Sequence, residues 1–149
     1  MLTVEEALEL VKSRCGPLPA RRLPLGEAVG LRLAEDIASD IDSPPHDKAM
    51  MDGYAVRSAD REPERRILEE IAAGAVPHFA LTPGTASRSM TGAPVPEGAD
   101  AIVQVEKTEL VDAATVRLQQ LDPSRGQNVL YRGSSMHEGD IVIHRGAVV

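Results

Sequence analysis

The chain has 149 residues, a net charge of −7 and a single cysteine. Nucleic-acid binding relies on positive charge for phosphates and aromatic faces for bases, whereas this chain is acidic and holds two tyrosines, one phenylalanine and no tryptophan. Nucleic acid is therefore not expected as a partner, and one cysteine allows no internal disulfide, which favours a reducing cytoplasm.

The N-terminal segment predicts an amphipathic helix. Thr3 and Glu6 form a capping-box pattern, and apolar residues follow them at helical spacing. Gly16 and Pro17 predict the end of this helix. No apolar run in the chain approaches the length of a membrane span, so no membrane partner is expected either.

The next segment predicts a short helix followed by a strand. A helix is plausible around Leu25–Val29, with Gly30 ending it, and Leu31–Ile37 then predicts a strand. That strand needs sheet neighbours, so we expect the last strand of the chain to return to it. The apolar end at Val148 and Val149 favours a chain cut from a longer protein.

From Asp42 onward, glycine and proline recur at short intervals between β-prone runs, which predicts an antiparallel, turn-rich β organisation. Arg65–Ala73 has helical propensity but lies between turns, and we interpret it as a strand. The chain is thus predicted to be mainly β with an N-terminal helix, an α+β fold. The predicted strands of this part are Tyr54–Val56, Arg65–Ala73, Ala86–Met90, Ala101–Glu106, Thr115–Leu118, Asn128–Tyr131 and Ile141–His144.

Glycine and proline become frequent near Ile41–Pro45, and this change predicts a boundary between two lobes. Residues 1–42 together with 133–149 would form a discontinuous N-terminal lobe of helix and strand. Residues 43–132 would form a β-rich lobe.

The segment around Asp52 is the first candidate for a functional site. Asp52 and Tyr54 are two apart, so they share one face of an extended backbone, and Gly53 between them leaves room for a close approach. The alternative is a plain turn, since Asp-Gly is a strong hairpin signal.

The loop Met90–Asp100 is the second candidate. Thr91 lies where a strand meets a stiff run of glycine and proline, so its hydroxyl could be held toward a ligand. Its alternative role is to bond its own loop backbone. The four histidines show no metal-ligand spacing, and no glycine-rich phosphate loop precedes a helix.

Taken together, the two segments resemble the N-terminal region of the molybdopterin molybdenumtransferase family, which includes MoeA and the gephyrin E domain. The resemblance covers nearly the whole chain in order. It rests on Ser43-Pro44-Pro45, Met51-Asp52-Gly53-Tyr54-Ala55-Val56 and Met90–Asp100, and extends to Leu33-Ala34-Glu35-Asp36, Glu106 with Thr108, and Gly126-Gln127-Asn128.

This resemblance implies two lobes of bifurcated, coiled β-sheet in an elongated, cytoplasmic homodimer. It implies a transferase of molybdenum cofactor biosynthesis that inserts molybdate into adenylylated molybdopterin and releases AMP, with Mg²⁺ or Zn²⁺ required. A MogA-like adenylyltransferase is a possible partner. The cleft would be shared with a nucleotide-fold domain that this chain lacks, so the chain alone is expected to be inactive and to bind no cofactor tightly.

The resemblance also assigns roles to residues. Asp52 and Thr91 would be catalytic, with Asp52 also a metal ligand and Thr91 hydrogen-bonded to the ligand. The residues implied in substrate binding are Gly53, Tyr54, Gly92, Ala93 and Ser135.

Two departures from the family pattern favour an alternative. Ser135 stands where the family has an aspartate, and Leu130 stands where it has an arginine. A serine cannot supply a carboxylate to a metal. The alternative is a non-catalytic scaffold or regulatory relative that keeps the dimerisation fold.

Overall fold

A computed structural model describes residues 2–16 and 18–149 of the chain. The chain divides into two compact units, Met1–Ile37 with Ile141–Val149, and Ala38–Asp140. The predicted division lay at 42/43 and 132/133. The observed division differs because residues 133–140 bond to the segment that follows residue 42: Ser43 N donates to Met136 O and Gly133 N donates to Pro44 O, both at 2.9 Å, and Ser39 N in turn donates to Asp140 O at 2.8 Å.

The smaller unit begins with the predicted helix, α1, at Val4–Arg14. The capping box is confirmed: Thr3 Oγ1 accepts the N–H of Glu6, and the Glu6 carboxylate accepts the N–H of Thr3 at 2.8 Å. The helix ends at Arg14, before Gly16, while the predicted role of Pro17 lies outside the described residues. A second helix, α2, spans Leu25–Ala28, and Gly30 follows it at φ 81°.

The strand predicted at Leu31–Ile37 is wrong in extent. Leu33 N donates to Ala147 O at 2.9 Å, so the end of the chain does return to this segment. The ladder then stops, because the Asp36 carboxylate accepts the N–H of Arg145 instead. Regular pairing is limited to β1, Ile37–Ala38, with β10, Ile141–Ile143.

The larger unit is built on a six-stranded sheet in the order β6-β3-β5-β4-β8-β7, and a short pair, β2 with β9, lies beside it. A 3₁₀-helix, Val105–Lys107, links β6 to β7. The strands are β2 Lys48–Ala49, β3 Gly53–Val56, β4 Glu64–Ile71, β5 Thr85–Ser89, β6 Ala101–Gln104, β7 Thr108–Asp112, β8 Thr115–Leu118 and β9 Val129–Leu130.

The fold class, mainly β with an N-terminal helix, is confirmed, and so is the strand interpretation of Arg65–Ala73. The purely antiparallel sheet is wrong: β4 and β5 pair in parallel. The connection over residues 72–84 is long enough for a crossover, which parallel pairing requires. The strand predicted to Glu106 ends at Gln104, and β2 and β7 were not predicted.

The strand β3 has all four residues buried, and it packs against apolar side chains on both faces. Tyr54 and Val56 belong to one buried cluster, while Ala55 belongs to a second cluster on the opposite face. Neighbouring strands β5 and β6 pair with β3 on either side. The residue that enters this strand, Asp52, is therefore attached to the most constrained part of the unit.

Candidate functional site

The sheet brings together the two residues that the sequence singles out. Asp52 immediately precedes β3, and Thr91 follows the end of β5. These strands are antiparallel with Gly53 opposite Ser89, so the start of one lies beside the end of the other. The backbone N–H and the hydroxyl of Thr91 both donate to Asp52 Oδ1, each at 2.7 Å.

These contacts stabilise the ionised form of Asp52. The hydroxyl of Thr91, then its N–H, and finally the positive charge of Arg88 hold the pKa of Asp52 below its ordinary value of 3.8. Arg88 itself lies 3.4 Å from the carboxylate of Glu70. Asp52 is thus an oriented anion at neutral pH, and its second oxygen, Oδ2, accepts no hydrogen bond from the described residues.

The loop that carries Thr91 is fixed by backbone hydrogen bonds to β2. Gly92 N donates to Ala49 O, and Ala49 N donates to Ala93 O, both at 2.8 Å. Gly92 adopts φ 82°, a conformation that favours glycine. Ala93 is fully buried. The structure therefore places Gly92 and Ala93 as residues that shape the loop and aim Thr91 at Asp52.

Gly53 and Tyr54 lie in the interior of the sheet. A Cβ on Gly53 would stand 2.1 Å from the carbonyl oxygen of Val103, so the missing side chain makes room for the backbone of β6. Tyr54 is 1% exposed and packs in the hydrophobic core. Gly53 therefore has no side chain to offer a ligand, and the side chain of Tyr54 is almost entirely enclosed by the core.

An open cleft of about 460 Å³ lies in front of Asp52 and Thr91. Two of its residues, Gln104 and Glu106, come from the end of β6 and the following turn. Val105 N donates to Asp52 O at 3.1 Å and fixes that turn beside the carboxylate. The cleft is lined by Met51, Asp52, Thr91, Gln104 and Glu106.

Sequence reasoning assigned no role to Gln104 or Glu106. Glu106 was part of the family resemblance, but its proximity to Asp52 depends on the pairing of β3 with β6, in which Gly53 lies opposite Gln104. A register between strands separated by about fifty residues leaves no local signal. The nearest signal was Gly53 itself, which marks a close backbone approach.

The donor set of the cleft is made of oxygen atoms. Asp52 and Glu106 provide carboxylates, and Gln104 and Thr91 provide neutral oxygens, while no cysteine or histidine lines the cleft. Among residues 2–16 and 18–149, no group of three or more histidine, cysteine, aspartate or glutamate side chains could hold a metal ion. One or two carboxylates suit Mg²⁺, which keeps waters and substrate oxygens in its coordination shell. They suit Zn²⁺ poorly, because zinc usually has nitrogen and sulfur ligands.

Ser135 lies in a separate loop that is anchored by Asp42. The N–H of Ser135 donates to Ser43 O at 2.9 Å, and the residue is exposed. Asp42 accepts the N–H of Glu138 at 2.9 Å and Arg132 Nε at 2.5 Å. The Glu138 N–H, followed by Arg132, holds the pKa of Asp42 below 3.8. Ser135 is not among the residues that line the cleft.

Comparisons with known proteins agree with these observations. A family profile described as MoeA N-terminal region (domain I and II) matches residues 2–149. Molybdopterin molybdenumtransferase from Staphylococcus aureus is 34% identical over 156 residues, with 99% of this chain and 36% of that enzyme covered. Molybdopterin molybdenumtransferase 2 from Mycobacterium tuberculosis is 38% identical over 157 residues, with 100% of this chain and 38% of that protein covered.

Solved structures give the same result. The molybdopterin biosynthesis protein MoeA from Pyrococcus horikoshii OT3 superposes with a TM-score of 0.82 and 34% identity, over 97% of this chain and 40% of that one. In a second structure of the Pyrococcus protein the TM-score is 0.84 at 32% identity, over 96% of this chain and 38% of that one. The chain therefore spans well under half the length of these relatives, and it belongs to the MoeA N-terminal region family.

Proposed function

We propose that this chain is the N-terminal region of a molybdenum cofactor biosynthesis enzyme. The whole protein would insert molybdate into adenylylated molybdopterin and release AMP. This region would lend Asp52 and Thr91 to a cleft completed by another domain. The observation that carries the proposal is the double hydrogen bond from Thr91 to Asp52, which orients an ionised carboxylate in an open cleft.

In this proposal Asp52 binds the ligand, and Thr91 positions the carboxylate of Asp52. Both hydrogen donors of Thr91 are directed at Asp52 Oδ1, so Thr91 fixes the carboxylate and leaves Oδ2 without a hydrogen bond from the described residues. The resemblance alone implied that Thr91 binds the ligand directly. Its hydroxyl oxygen keeps lone pairs that can still accept a hydrogen bond from a ligand.

We propose Mg²⁺ as the cation that Asp52 holds, with Glu106 as a second carboxylate in the same cleft. When bound, Mg²⁺ neutralises negative charge on phosphate or molybdate oxygens and orients them. The residues of this chain hold the ion, and the acidic cleft keeps the anionic substrate away until the cation is present. This order follows from like-charge repulsion between the substrate and two carboxylates.

We also propose that the whole protein is a cytoplasmic homodimer, with a MogA-like adenylyltransferase as the partner that supplies its substrate. The helix α1 supports dimerisation, since Val4, Leu8 and Val11 project from it and all are exposed. Apolar side chains at helical spacing are usually covered by another helix or chain. No helix in the described residues has the length and hydropathy needed to cross a membrane.

Complementation tests the proposal. The whole protein that carries this region, expressed in bacteria without their own molybdenumtransferase, is expected to restore molybdoenzyme activity. Asp52→Asn should lower the restored activity by on the order of 100-fold, because it removes a charge aimed at the reacting groups. Asp122→Asn is a matched control, since Asp122 is exposed and its carboxylate bonds to none of the described residues. Full activity of Asp52→Asn would remove Asp52 from the mechanism.

A non-catalytic scaffold or regulatory relative is the second candidate. The observation that favours it is Ser135, an exposed serine at the position where the family pattern has an acid. In that case the unaltered protein would express and fold but restore no molybdoenzyme activity in the same strain.

A further inference from the structure

We infer that Gln104 is a ligand-contacting residue of the cleft, whose side-chain amide donates a hydrogen bond to a tetrahedral oxyanion held there with a divalent cation. The inference rests on the proposed function and goes further, because it assigns the oxyanion a specific partner in this chain. Gln104 lines the same cleft as Asp52 and Thr91.

The residues that line the cleft have few side-chain hydrogen-bond donors left for a ligand. Thr91 has two, its N–H and its hydroxyl, and Asp52 accepts both. The carboxylates of Asp52 and Glu106 are acceptors only when ionised, and Met51 has no side-chain donor. The amide of Gln104 donates to no acceptor among the described residues, so it is the one uncommitted side-chain donor of the lining.

Gln104 has a fixed position in the sheet. It is the last residue of β6 and lies directly opposite Gly53. The close approach at Gly53 and the hydrogen bond from Val105 N to Asp52 O hold the backbone on both sides of Gln104. The fixed backbone keeps the amide of Gln104 within reach of the cleft, and this half-buried side chain has less freedom to lose on binding a ligand than an exposed one.

The charge of the cleft determines which groups an oxyanion can contact. A bare oxyanion would be repelled by Asp52 and Glu106, so the oxyanion needs a cation on the carboxylates and a donor for its outer oxygens. The guanidinium of Arg88 does not line the cleft and lies against Glu70. Among the side chains that line the cleft, the neutral amide of Gln104 is the remaining donor that can meet an outer oxygen, and it has two N–H groups to do so.

Nuclear magnetic resonance on the whole protein that carries this region, ¹⁵N-labelled at threonine and glutamine, tests this inference. The side-chain amide signal of Gln104 is identified by its loss in Gln104→Met. Mg²⁺ alone, molybdate alone and both together are then titrated to millimolar concentrations, and inorganic phosphate replaces molybdate in a parallel series. We expect the Thr91 N–H to shift with Mg²⁺, and the Gln104 amide to shift when an oxyanion is added with Mg²⁺.

The two series separate the possible sources of the oxyanion. If Gln104 responds to molybdate with Mg²⁺, the contact is assigned to the metal oxyanion. If Gln104 responds to phosphate with Mg²⁺ but not to molybdate, the contact is assigned to the phosphate of the pterin substrate. Gln104→Met should weaken the Mg²⁺-dependent binding of the oxyanion by about 10- to 100-fold, the usual effect of one hydrogen bond to a charged group. Gln119→Met is the matched control, since Gln119 is exposed and lies outside the cleft lining.

The outcomes distinguish this inference from the proposed function. If Thr91 responds to Mg²⁺ and Gln104 responds to no oxyanion, Gln104 is not a ligand contact, while the cation site stands. If neither residue responds in any titration, the proposed cation site fails, and the inference fails with it.

Discussion

Thr91 donates its hydroxyl and its backbone N–H to a single oxygen of Asp52, both at 2.7 Å. Two donors on one carboxylate oxygen fix the rotation of the side chain and favour its ionised form. The second oxygen accepts no hydrogen bond from the described residues, and Asp52 lines the cleft, so a cation there can bind this oxygen. The geometry therefore converts an ordinary Asp-Gly turn into a presented carboxylate.

Thr91→Val tests this relationship directly. The substitution keeps the backbone N–H and the shape of the side chain but removes the hydroxyl, which is the largest cause of the lowered pKa of Asp52. We expect the pKa of Asp52 to rise toward 3.8, measured from the pH dependence of its carboxyl ¹³C shift. A lowered pKa stabilises the fold above the unfolded-state pKa, and this stabilisation is lost as pH falls through the folded-state pKa. In Thr91→Val the pKa of Asp52 is lowered less, so the free energy of unfolding should fall less as the pH falls.

The same variant has a functional readout. In complementation, Thr91→Val should reduce the restored molybdoenzyme activity by about 10- to 100-fold, the range found when a residue that orients a metal ligand is removed. Thr91→Ser keeps the hydroxyl and serves as the control for both measurements. An unchanged pKa of Asp52 in Thr91→Val would show that the N–H of residue 91 is sufficient to lower this pKa without the hydroxyl.

Gly53→Ala tests the packing beneath the site. The added Cβ would stand 2.1 Å from Val103 O and 2.9 Å from Val103 C, and both atoms belong to the backbone of β6. Because a backbone atom cannot rotate away, the strands must separate. We expect the free energy of unfolding to fall by about 1–3 kcal/mol in urea titrations, the usual cost of overpacking a filled interior. Gly26→Ala is the control, since nothing lies within 4 Å of a Cβ there. Equal stability of both variants would contradict the close approach.

Local sequence signals predicted much of this fold. The capping box of Thr3 and Glu6, the strand Thr115–Leu118 and the strand character of Arg65–Ala73 depend on neighbours in the chain. The parallel pairing of β4 with β5 was missed, because it depends on the path of the connection over residues 72–84.

The site shows the same division between local and distant information. Asp52 and Thr91 were recognised from their segments, and the structure joins them through the pairing of β3 with β5. Tyr54 looked like a second site residue because it shares a face with Asp52 on an extended strand. That face is core from residue 54 onward, so Tyr54 is buried. Gln104 gave no signal, because its place in the cleft follows from a distant strand register.

Asp42→Asn tests the cluster that anchors the Ser135 loop. Asp42 accepts the N–H of Glu138 and Arg132 Nε, with His137 Nδ1 at 3.5 Å, and its pKa is lowered. The charge therefore stabilises the fold above the unfolded-state pKa, and the stabilisation is lost as pH falls through the folded-state pKa. We expect the urea midpoint of Asp42→Asn to lie below that of the unaltered chain at neutral pH, and the gap to close in acid. Asp122→Asn should show no gap at any pH, and a gap of constant size in Asp42→Asn would rule out titration of Asp42 as its cause.

Ser135→Asp tests whether the departure from the family pattern limits activity. The N–H of Ser135 donates to Ser43 O at 2.9 Å, and its exposed side chain donates to none of the described residues. An aspartate can therefore keep the backbone contact and add a carboxylate to the loop. We expect Ser135→Asp in the whole protein to raise the restored molybdoenzyme activity by about 10-fold or more, since a carboxylate adds a negative charge that can hold or orient a cation, and a hydroxyl adds none. Ser134→Asp adds the same charge at the adjacent exposed serine. Equal effects of the two variants would assign the gain to net charge, and no gain in either would show that a carboxylate in this loop is not needed for activity.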